Sequence, residues 1–167
     1  MCFPVTIGGL WVSTSASTVV SAINGCIFQN CTFENTSTGR CAISVDNSRV
    51  INCIFISQSN DVLYRCNNTF FDSCLFRRVD GGQAVRTQNE PNLYRNCSFF
   101  GFTTTEIGLP LRGRWENCRL ESSTYAIRFQ GDANVFLKDC ILIGGDYAVD
   151  LTVMGRRRSS SKNTKRA

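Results

Sequence analysis

The chain has 167 residues, of which 43% are hydrophobic and 19% are charged, and it carries a formal net charge of +5 at pH 7. This length and apolar content suit one domain with its own core, and they exclude a chain that is disordered throughout. No uncharged apolar run reaches the roughly 18 residues that a membrane-spanning helix needs, so we expect no membrane partner.

Residues 1–24 precede the regular part of the sequence. They contain the apolar run CFPVTIGGLWV and then the polar run STSAST. A secretory signal normally begins with a basic segment, whereas the first basic residue here is Arg40. We therefore predict a cap or lead-in over 1–24, and secretion or display at a cell surface is the alternative.

A short motif occurs six times in the middle of the chain: Asn, Ser or Asp, then cysteine, then Phe or Leu two residues later. The six cysteines are Cys31, Cys53, Cys74, Cys97, Cys118 and Cys140. Successive cysteines are 21 to 23 residues apart, which is typical of a solenoid. Apolar residues alternate with a period of two, which favours strands over helices.

Aligning the six copies on the cysteine separates inward from outward positions. The position three residues before the cysteine is always apolar: Phe28, Val50, Phe71, Tyr94, Trp115 and Leu137. The position two residues after it is apolar as well: Phe33, Phe55, Phe76, Phe99, Leu120 and Leu142. Two inward positions three residues apart break the alternation, so we predict a bend at the residue before each cysteine. Asparagine, the commonest residue there, tolerates the left-handed conformation.

A further short run of strand-like residues follows each cysteine by about ten positions. These runs are CAISV at 41–45, DVLYR at 61–65, QAVRT at 83–87, LPLRG at 109–113, YAIRF at 125–129 and YAVDL at 147–151. Each coil of about 22 residues then holds three short strands. We predict an all-β fold, a right-handed parallel β-helix of about six coils over 25–153, with cysteine and phenylalanine ladders in its core.

The coil length, the three strands per coil and the Asn bend resemble the pectin-lyase-like family, over about residues 18–152. That fold hosts polysaccharide lyases and hydrolases, phage tailspikes and surface adhesins, so the resemblance implies the fold and leaves the activity open. Enzymes of the family usually have more coils than six or seven. The resemblance therefore implies a compact accessory protein rather than a complete enzyme.

The six motif cysteines are expected to fill the core as small apolar side chains. Equivalent side chains on adjacent parallel strands point the same way, which suits a disulfide poorly. With no histidine and no CxxC pair, we predict no metal site, no cofactor and no cysteine nucleophile. The sequence leaves the state of the remaining cysteines open: Cys2, Cys26, Cys41 and Cys66. Buried thiols favour folding in a reducing cytoplasm.

The position two residues before the cysteine alternates in charge on four successive coils. It is occupied by Asp72, Arg95, Glu116 and Lys138. Stacked in register, these residues would form an exposed ladder of ion pairs, each worth at most about 1 kcal/mol. We predict that the ladder fixes the register of the coils rather than binding a ligand.

Alternation within the third strand turns an arginine outward on three coils, at Arg86, Arg112 and Arg128. The pectate lyases that this chain resembles bind substrate along one such strand, with acidic residues for calcium and an arginine as base. No column of acids accompanies these arginines, so we predict no catalytic residue. We expect ordinary solvated surface, with an anionic glycan, a phosphate or an acidic partner as the alternative ligand.

The sequence after Asp150 contains no acid and six bases, which are Arg156, Arg157, Arg158, Lys162, Lys165 and Arg166. Because these six belong to a total of 18, the rest of the chain carries 12 basic and 13 acidic residues. We predict a basic, flexible arm over 154–167. It would act as a solubilising tail, bind nucleic acid through phosphates, or dock the domain on a larger assembly.

These features favour a non-enzymatic structural or binding protein. The most specific version is a virion component, such as a phage or viral decoration, fibre or spike protein, docked on other structural proteins through its arm. A homo-oligomer, including a trimer, is open. The alternatives are a small carbohydrate-active β-helix protein that binds or cleaves an acidic polysaccharide, and a fragment of a bacterial surface adhesin.

Overall fold

The computed structural model describes residues 6–15, 17–58, 61–64, 66–80, 85–86, 91–104, 112–128 and 134–150. Within these residues the chain forms seventeen strands and no helix. The strands are β1 Thr6–Ser13, β2 Val20–Asn24, β3 Ile27–Asn35, β4 Ala42–Asp46, β5 Arg49–Ile51, β6 Ile54–Ser57, β7 Leu63–Tyr64, β8 Phe70–Asp72, β9 Leu75–Arg78, β10 Val85–Arg86, β11 Asn92–Arg95, β12 Ser98–Thr104, β13 Arg112–Glu116, β14 Arg119–Arg128, β15 Asn134–Lys138, β16 Ile141–Gly144 and β17 Tyr147–Asp150.

Thirteen strands form one continuous sheet that folds back on itself at β3. Its order is β15-β13-β11-β8-β5-β3-β6-β9-β12-β14-β16, with β1 beside β3 and β17 beside β14. A second sheet has the order β10-β7-β4-β2. We call the strands before each cysteine (β5, β8, β11, β13, β15) the leading face, and those after it (β6, β9, β12, β14, β16) the trailing face. Both β1 and β3 run through the bend and contribute to both faces.

Every strand pairs in parallel with the equivalent strand of the next coil. The register joins Phe33 to Phe55, Phe55 to Phe76 and Phe76 to Phe99, and it continues through Leu120 to Leu142. The columns deduced by aligning the sequence on cysteine are therefore the columns that stack in space. The predicted parallel β-helix, with its coils of about 22 residues, is confirmed.

The residue before each motif cysteine adopts a left-handed conformation. Its φ angle lies between 50° and 55° at Asn30, Asn52, Ser73, Asn96, Asn117 and Asp139. Asparagine side chains at this position also bond between coils: Asn52 Nδ2 donates to Asn30 Oδ1 over 2.7 Å, and Asn117 Nδ2 donates to Asn96 Oδ1 over 2.7 Å. Asparagine is thus favoured here both for its φ angle and for its amide. The predicted bend is confirmed.

The core consists of two aromatic columns that meet inside the bend. Along one column the rings stack, with centroids 5.1 Å apart between Phe55 and Phe76. Along the other, Tyr94 and Trp115 stack at 4.1 Å. The two columns contact each other edge to face, as between Phe76 and Tyr94 at 6.3 Å. Such pairs add about 0.5–1.5 kcal/mol each beyond the burial of their area, so the stacked rings stabilise the contact between neighbouring coils.

All nine described cysteines are free thiols. The six of the ladder are buried, apart from the half-buried Cys140 of the last coil. Each of these six donates from Sγ to the carbonyl two residues before it, as Cys97 does to Arg95 over 3.1 Å. Cysteine therefore fills the space under the bend and also bonds a carbonyl that the bend turns inward. Core filling is confirmed for the ladder.

The cysteines outside the ladder divide by position. Cys41 and Cys66 are free and fully buried, whereas Cys26 is free and half-buried. Burial raises the pKa of the Cys41 and Cys66 thiols to about 12. Cys2 lies outside the described residues. Cys41 and Cys66 are thus further core residues, protonated at neutral pH.

The segment predicted as a cap contains two strands that stack like those of the coils. β1 pairs with β3, with Leu10 opposite Thr32 and Trp11 opposite Phe33, and β2 pairs with β4. The described part of residues 1–24 thus extends the solenoid. The boundary at residue 24 and the arm over 154–167 stay predictions, and the arm lies outside the described residues.

Candidate interaction surfaces

The charged column of the leading face is in register, as the sequence predicts. Asp72 lies opposite Arg95, Arg95 opposite Glu116, and Glu116 opposite Lys138. Of the three predicted ion pairs, only the one between Arg95 and Glu116 forms among these residues, with Arg95 Nε 3.4 Å from Glu116 Oε2. Asp72 accepts from Asn96 instead, and the second partner of Glu116 is Arg114 of its own strand, so the prediction of a continuous ladder is wrong. Burial acts to raise the pKa of Glu116, but the hydrogen bonds and charges of the two arginines outweigh it, so this pKa lies below its ordinary value.

The arginines of the leading face also cover its outward aromatic rings. The guanidinium of Arg95 lies 5.3 Å from the Phe70 centroid, and that of Arg114 lies 4.7 Å from the Phe136 centroid. A cation over an aromatic face gains about 0.5–1 kcal/mol at an exposed site. These cations are already engaged with neighbouring acids and rings, which fits the predicted role of this charged column in holding the coils in register.

The backbone places the three predicted ligand-binding arginines in different strands. Arg86 ends β10, opposite Tyr64 of the four-stranded sheet, and Arg128 ends β14, opposite Asp150 of β17. Arg112 was expected in a third strand, but it begins β13 and pairs with Asn134 on the leading face.

The register therefore does not align these three arginines in one column. The loops after the trailing face differ in length, so a count from the cysteine does not locate residues beyond that face. The side chains of all three lie outside the described part of the chain, as do the six bases of the arm, and their binding roles stay predictions.

The outward side of the trailing face is unusually apolar. We call the position one residue after the cysteine the first outward column, and the position three residues after it the second. The first column contains Leu10, Thr32, Ile54, Leu75, Ser98, Arg119 and Ile141. The second contains Val12, Glu34, Ile56, Arg77, Phe100, Glu121 and Ile143. Eight of these fourteen side chains are apolar.

Several of these apolar side chains are open to solvent. Leu10 is 69% exposed, Ile141 is 55% exposed and Ile54 is 37% exposed. Next to them, Arg119 Nη2 lies 2.8 Å from Glu121 Oε2, and both side chains of this ion pair are 43% exposed. Reasoning from the sequence missed this surface, although the same alignment on cysteine contains both columns.

The two ends of the described solenoid are apolar as well. On the first coil Trp11 continues the inward column of Phe33 and is 40% exposed. On the last coil Phe136 and Tyr147 are 47% and 63% exposed. Among the described strands, β1 pairs only with β3 and β15 pairs only with β13. Both ends thus combine exposed aromatic rings with an open strand edge.

An open groove of about 600 Å³ runs along the corner that follows the trailing face. Its floor includes Gly101 and Gly145, where no side chain fits. A Cβ atom would lie 2.1 Å from the Arg78 carbonyl oxygen at Gly101 and 1.9 Å from the Ser123 carbonyl oxygen at Gly145. The carboxyl group of Asp80 lies on its wall. Its other lining residues are apolar, acidic or small, namely Val79, Phe102, Glu121, Ser122, Ser123, Ile143 and Gly144.

Neither a metal site nor a membrane span is found in the part of the chain that the structure describes. There, no three His, Cys, Asp or Glu residues converge on a position that could hold a metal ion. No helix with the length and hydropathy of a membrane span occurs among the same residues.

Comparison with known proteins gives one match. The family model for the right handed beta helix region matches residues 8–164, which is nearly the whole chain. The searches of curated proteins and of solved structures returned no match. The matched residues include every coil whose register is given above.

Proposed function

The chain belongs to the right-handed β-helix family, and from that premise we propose that it is a non-enzymatic structural or binding protein that docks end-on on a larger assembly. The specific form of the proposal is a virion component, such as a decoration, fibre or spike protein, that folds in a reducing cytoplasm. The observation that carries the proposal is the apolar, open-edged coil at each end of the described solenoid.

The first end supports docking because its core column is exposed. The Trp11 ring lies 6.3 Å from the Phe33 ring, which is its one aromatic neighbour among the described residues. An apolar side chain of a partner placed on Trp11 would continue the same column. The free edge of β1 would accept a strand from that partner, as in the recognition of peptides by strand addition.

The last end has the same character. Phe136 and Tyr147 are exposed, and the inward residues Leu137, Cys140 and Leu142 are only partly buried. Covering this coil would bury the last members of three core columns at once. Burial of apolar area stabilises a complex by about 25 cal/mol per Å². Covering the exposed apolar side chains of the last coil would therefore contribute to the free energy of binding.

The predicted basic arm follows this end in the sequence, which adds an electrostatic component to the proposal. Its six bases would attach the end of the solenoid to an acidic protein surface, or to the phosphates of a packaged nucleic acid. In either case the arm would strengthen docking most at low ionic strength.

Co-sedimentation with particles from the source of the protein tests the proposal. We expect the full chain to sediment with the particles, and both a chain without 155–167 and a Phe136→Ser/Tyr147→Ser variant to stay in the supernatant. Val79→Ser is the matched control, because Val79 is 49% exposed at mid-solenoid, and it should sediment like the wild type. Equal sedimentation of all four proteins, or of none, would contradict end-on docking.

A second candidate function, glycan binding, is favoured by the groove after the trailing face. Its length over several coils and its bare glycine floor suit an extended chain. Asp80 on its wall opposes a polyanion, so a neutral oligosaccharide fits better than an acidic one. Calorimetric titration with neutral and acidic oligosaccharides tests this. Asp80→Ala should weaken the binding of a neutral oligosaccharide. If the ligand is acidic instead, Arg128→Ala should weaken its binding.

A further inference from the structure

The outward side of the trailing face has the composition of a covered surface. Parallel sheets are usually covered on both sides, and their strands then carry apolar residues inward and outward. Here the two outward columns extend across seven stacked strands, from Leu10 and Val12 of β1 to Ile141 and Ile143 of β16. A register shift after Phe99 interrupts the second column between Phe100 and Glu121. Val12 and Ile143 are 49% and 39% exposed, so this apolar surface is open in the isolated chain.

We propose that a second copy of this chain covers the trailing face, in a parallel dimer whose two-fold axis runs along the solenoid. Rotation about that axis keeps each coil at its own height and reverses the direction of its strands. The first outward column of one copy then faces the second outward column of the other, coil by coil. The two sheets would pack about 10 Å apart, as in a β-sandwich.

This arrangement matches apolar residues with apolar residues on three coils. Leu10 of one copy meets Val12 of the other, Ile54 meets Ile56, and Ile141 meets Ile143. Each contact occurs twice, because a two-fold interface is self-complementary. The side chains that are exposed in one copy are thus the side chains that the other copy covers.

The same rotation matches opposite charges. Arg119 of one copy faces Glu121 of the other, and the reciprocal pair forms beside it. The ion pair present within each chain, at 2.8 Å, then becomes half of a quartet of alternating charges. Of the other two charged positions, Glu34 faces Thr32 and Arg77 faces Leu75, so no like charges meet.

An antiparallel arrangement reaches such complementarity only when fewer coils are in contact. With the central coils of the two copies aligned, Arg77 would face Arg77 and Glu34 would face Glu121. A shift by one coil would place Glu121 against Ile56 and Arg119 against Ile54. A shift by two coils would pair Arg77 with Glu121, or Glu34 with Arg77, but would bring only five of the seven coils into contact. The parallel two-fold dimer keeps opposite charges together and covers all seven coils, so charge and area together favour it.

The size of the surface predicts a weak dimer. Seven strands at about 4.8 Å spacing and about five residues of strand give a face of roughly 30 Å by 15 Å. This is at the lower limit for specific protein interfaces, so we expect dissociation in the micromolar range. The dimer uses the outward side of the end coils and leaves Trp11, Phe136, Tyr147 and the arm uncovered, and it goes beyond the proposed function.

Sedimentation equilibrium of the full chain over about 1–300 μM tests the dimer. We expect a monomer–dimer equilibrium, and Glu121→Arg should raise its dissociation constant at least tenfold by placing four cations together. The double variant Arg119→Glu/Glu121→Arg should restore it, because the swapped charges again face opposite partners. Lys138→Glu, on the leading face, is the control and should leave it unchanged.

Each contrary outcome identifies a different error. A chain that stays monomeric at 300 μM overturns the dimer, and so does a trimer, since three copies cannot share a self-complementary face. Tighter association of Glu121→Arg indicates the antiparallel arrangement. Melting temperatures show whether each variant folds, and Ile54→Ser, which changes no charge, should also weaken the dimer.

If the protein is monomeric but still sediments with particles, the dimer is contradicted and the proposed function still holds.

Discussion

The rings of Phe76 and Phe99 stack in neighbouring coils, with centroids 4.5 Å apart and planes inclined by 11°. Both side chains are fully buried at the middle of the aromatic column. Phe76→Ala should lower the free energy of unfolding by about 3–5 kcal/mol, since it removes buried area and leaves a cavity between two flanking rings. Urea denaturation measures this, with Phe136→Ala as the exposed control. An effect no larger than that of the control would contradict the stacking of the column.

The bend before each cysteine gives a prediction that separates backbone from side-chain effects. Asn96 has a φ angle of 53°, donates to Asp72 over 3.0 Å and accepts from Asn117 over 2.7 Å. Asn96→Ala loses both hydrogen bonds and adds about 1–2 kcal/mol of left-handed strain, whereas Asn96→Gly loses only the bonds. We expect the alanine variant to melt at the lower temperature. The reverse order would show that the φ angle does not determine the choice of residue here.

Buried thiols predict a loss of stability at alkaline pH. Burial raises the pKa of Cys66 to about 12, whereas an unfolded cysteine titrates near about 8.5. Above about pH 8.5 the unfolded state loses this proton first, so the free energy of unfolding falls until the pH reaches the pKa of the folded state. The stabilisation is complete below pH 8.5 and is lost as pH rises toward 12.

Melting temperatures in reductant between pH 7.5 and 10.5 check this titration. Cys66→Ala should flatten the decrease relative to the wild type, because one buried thiol no longer titrates. Cys26→Ala, which removes a half-buried thiol, is the matched comparison. Identical slopes in the wild type and Cys66→Ala would show that other groups cause the alkaline loss.

The ion pair between Arg40 and Asp61 is the most enclosed of those described. Arg40 Nε lies 3.3 Å from Asp61 Oδ2, the Asp61 side chain is only 9% exposed, and the guanidinium lies 4.2 Å from the Tyr64 ring centroid. Arg40→Met keeps the length of the side chain but removes charge from beside a buried carboxylate. We expect a loss of about 1–3 kcal/mol by urea denaturation at pH 7.

The exposed pair on the leading face provides the comparison for Arg40. Arg95 is 47% exposed beside Glu116, so Arg95→Met should cost less than about 1 kcal/mol. If the two variants lose the same stability, burial of the carboxylate does not determine the strength of the Arg40 pair.

The sequence by itself determined the coil, its bend and its core columns. Stacked coils place equivalent residues in equivalent surroundings, so the same type of residue recurs at the same position of six coils. Cys31 and its equivalents are one example, and the residue before each of them is another. Structural positions that recur in every coil can be recognised in a single sequence, because the repeats can be aligned with one another instead of with other proteins. The burial of Phe33 and its column, and the charged column through Arg95, follow from the same repetition.

The tertiary structure decided what depends on pairing beyond the trailing face. Loops of different length separate the third strands, so only backbone hydrogen bonds could place Arg112 in β13 rather than beside Arg86. Burial of Cys41 and Cys66, outside the repeat, likewise depends on which strands cover them.

The apolar trailing face follows the same rule. Ile56, which lies between Glu34 and Arg77 in the stack, is an ordinary strand position when its coil is taken alone. It becomes part of a continuous surface only when the register joins seven strands at once. The local sequence pattern determines whether a side chain points inward or outward. The stacking of the coils determines which outward side chains together form the surface that a partner would contact.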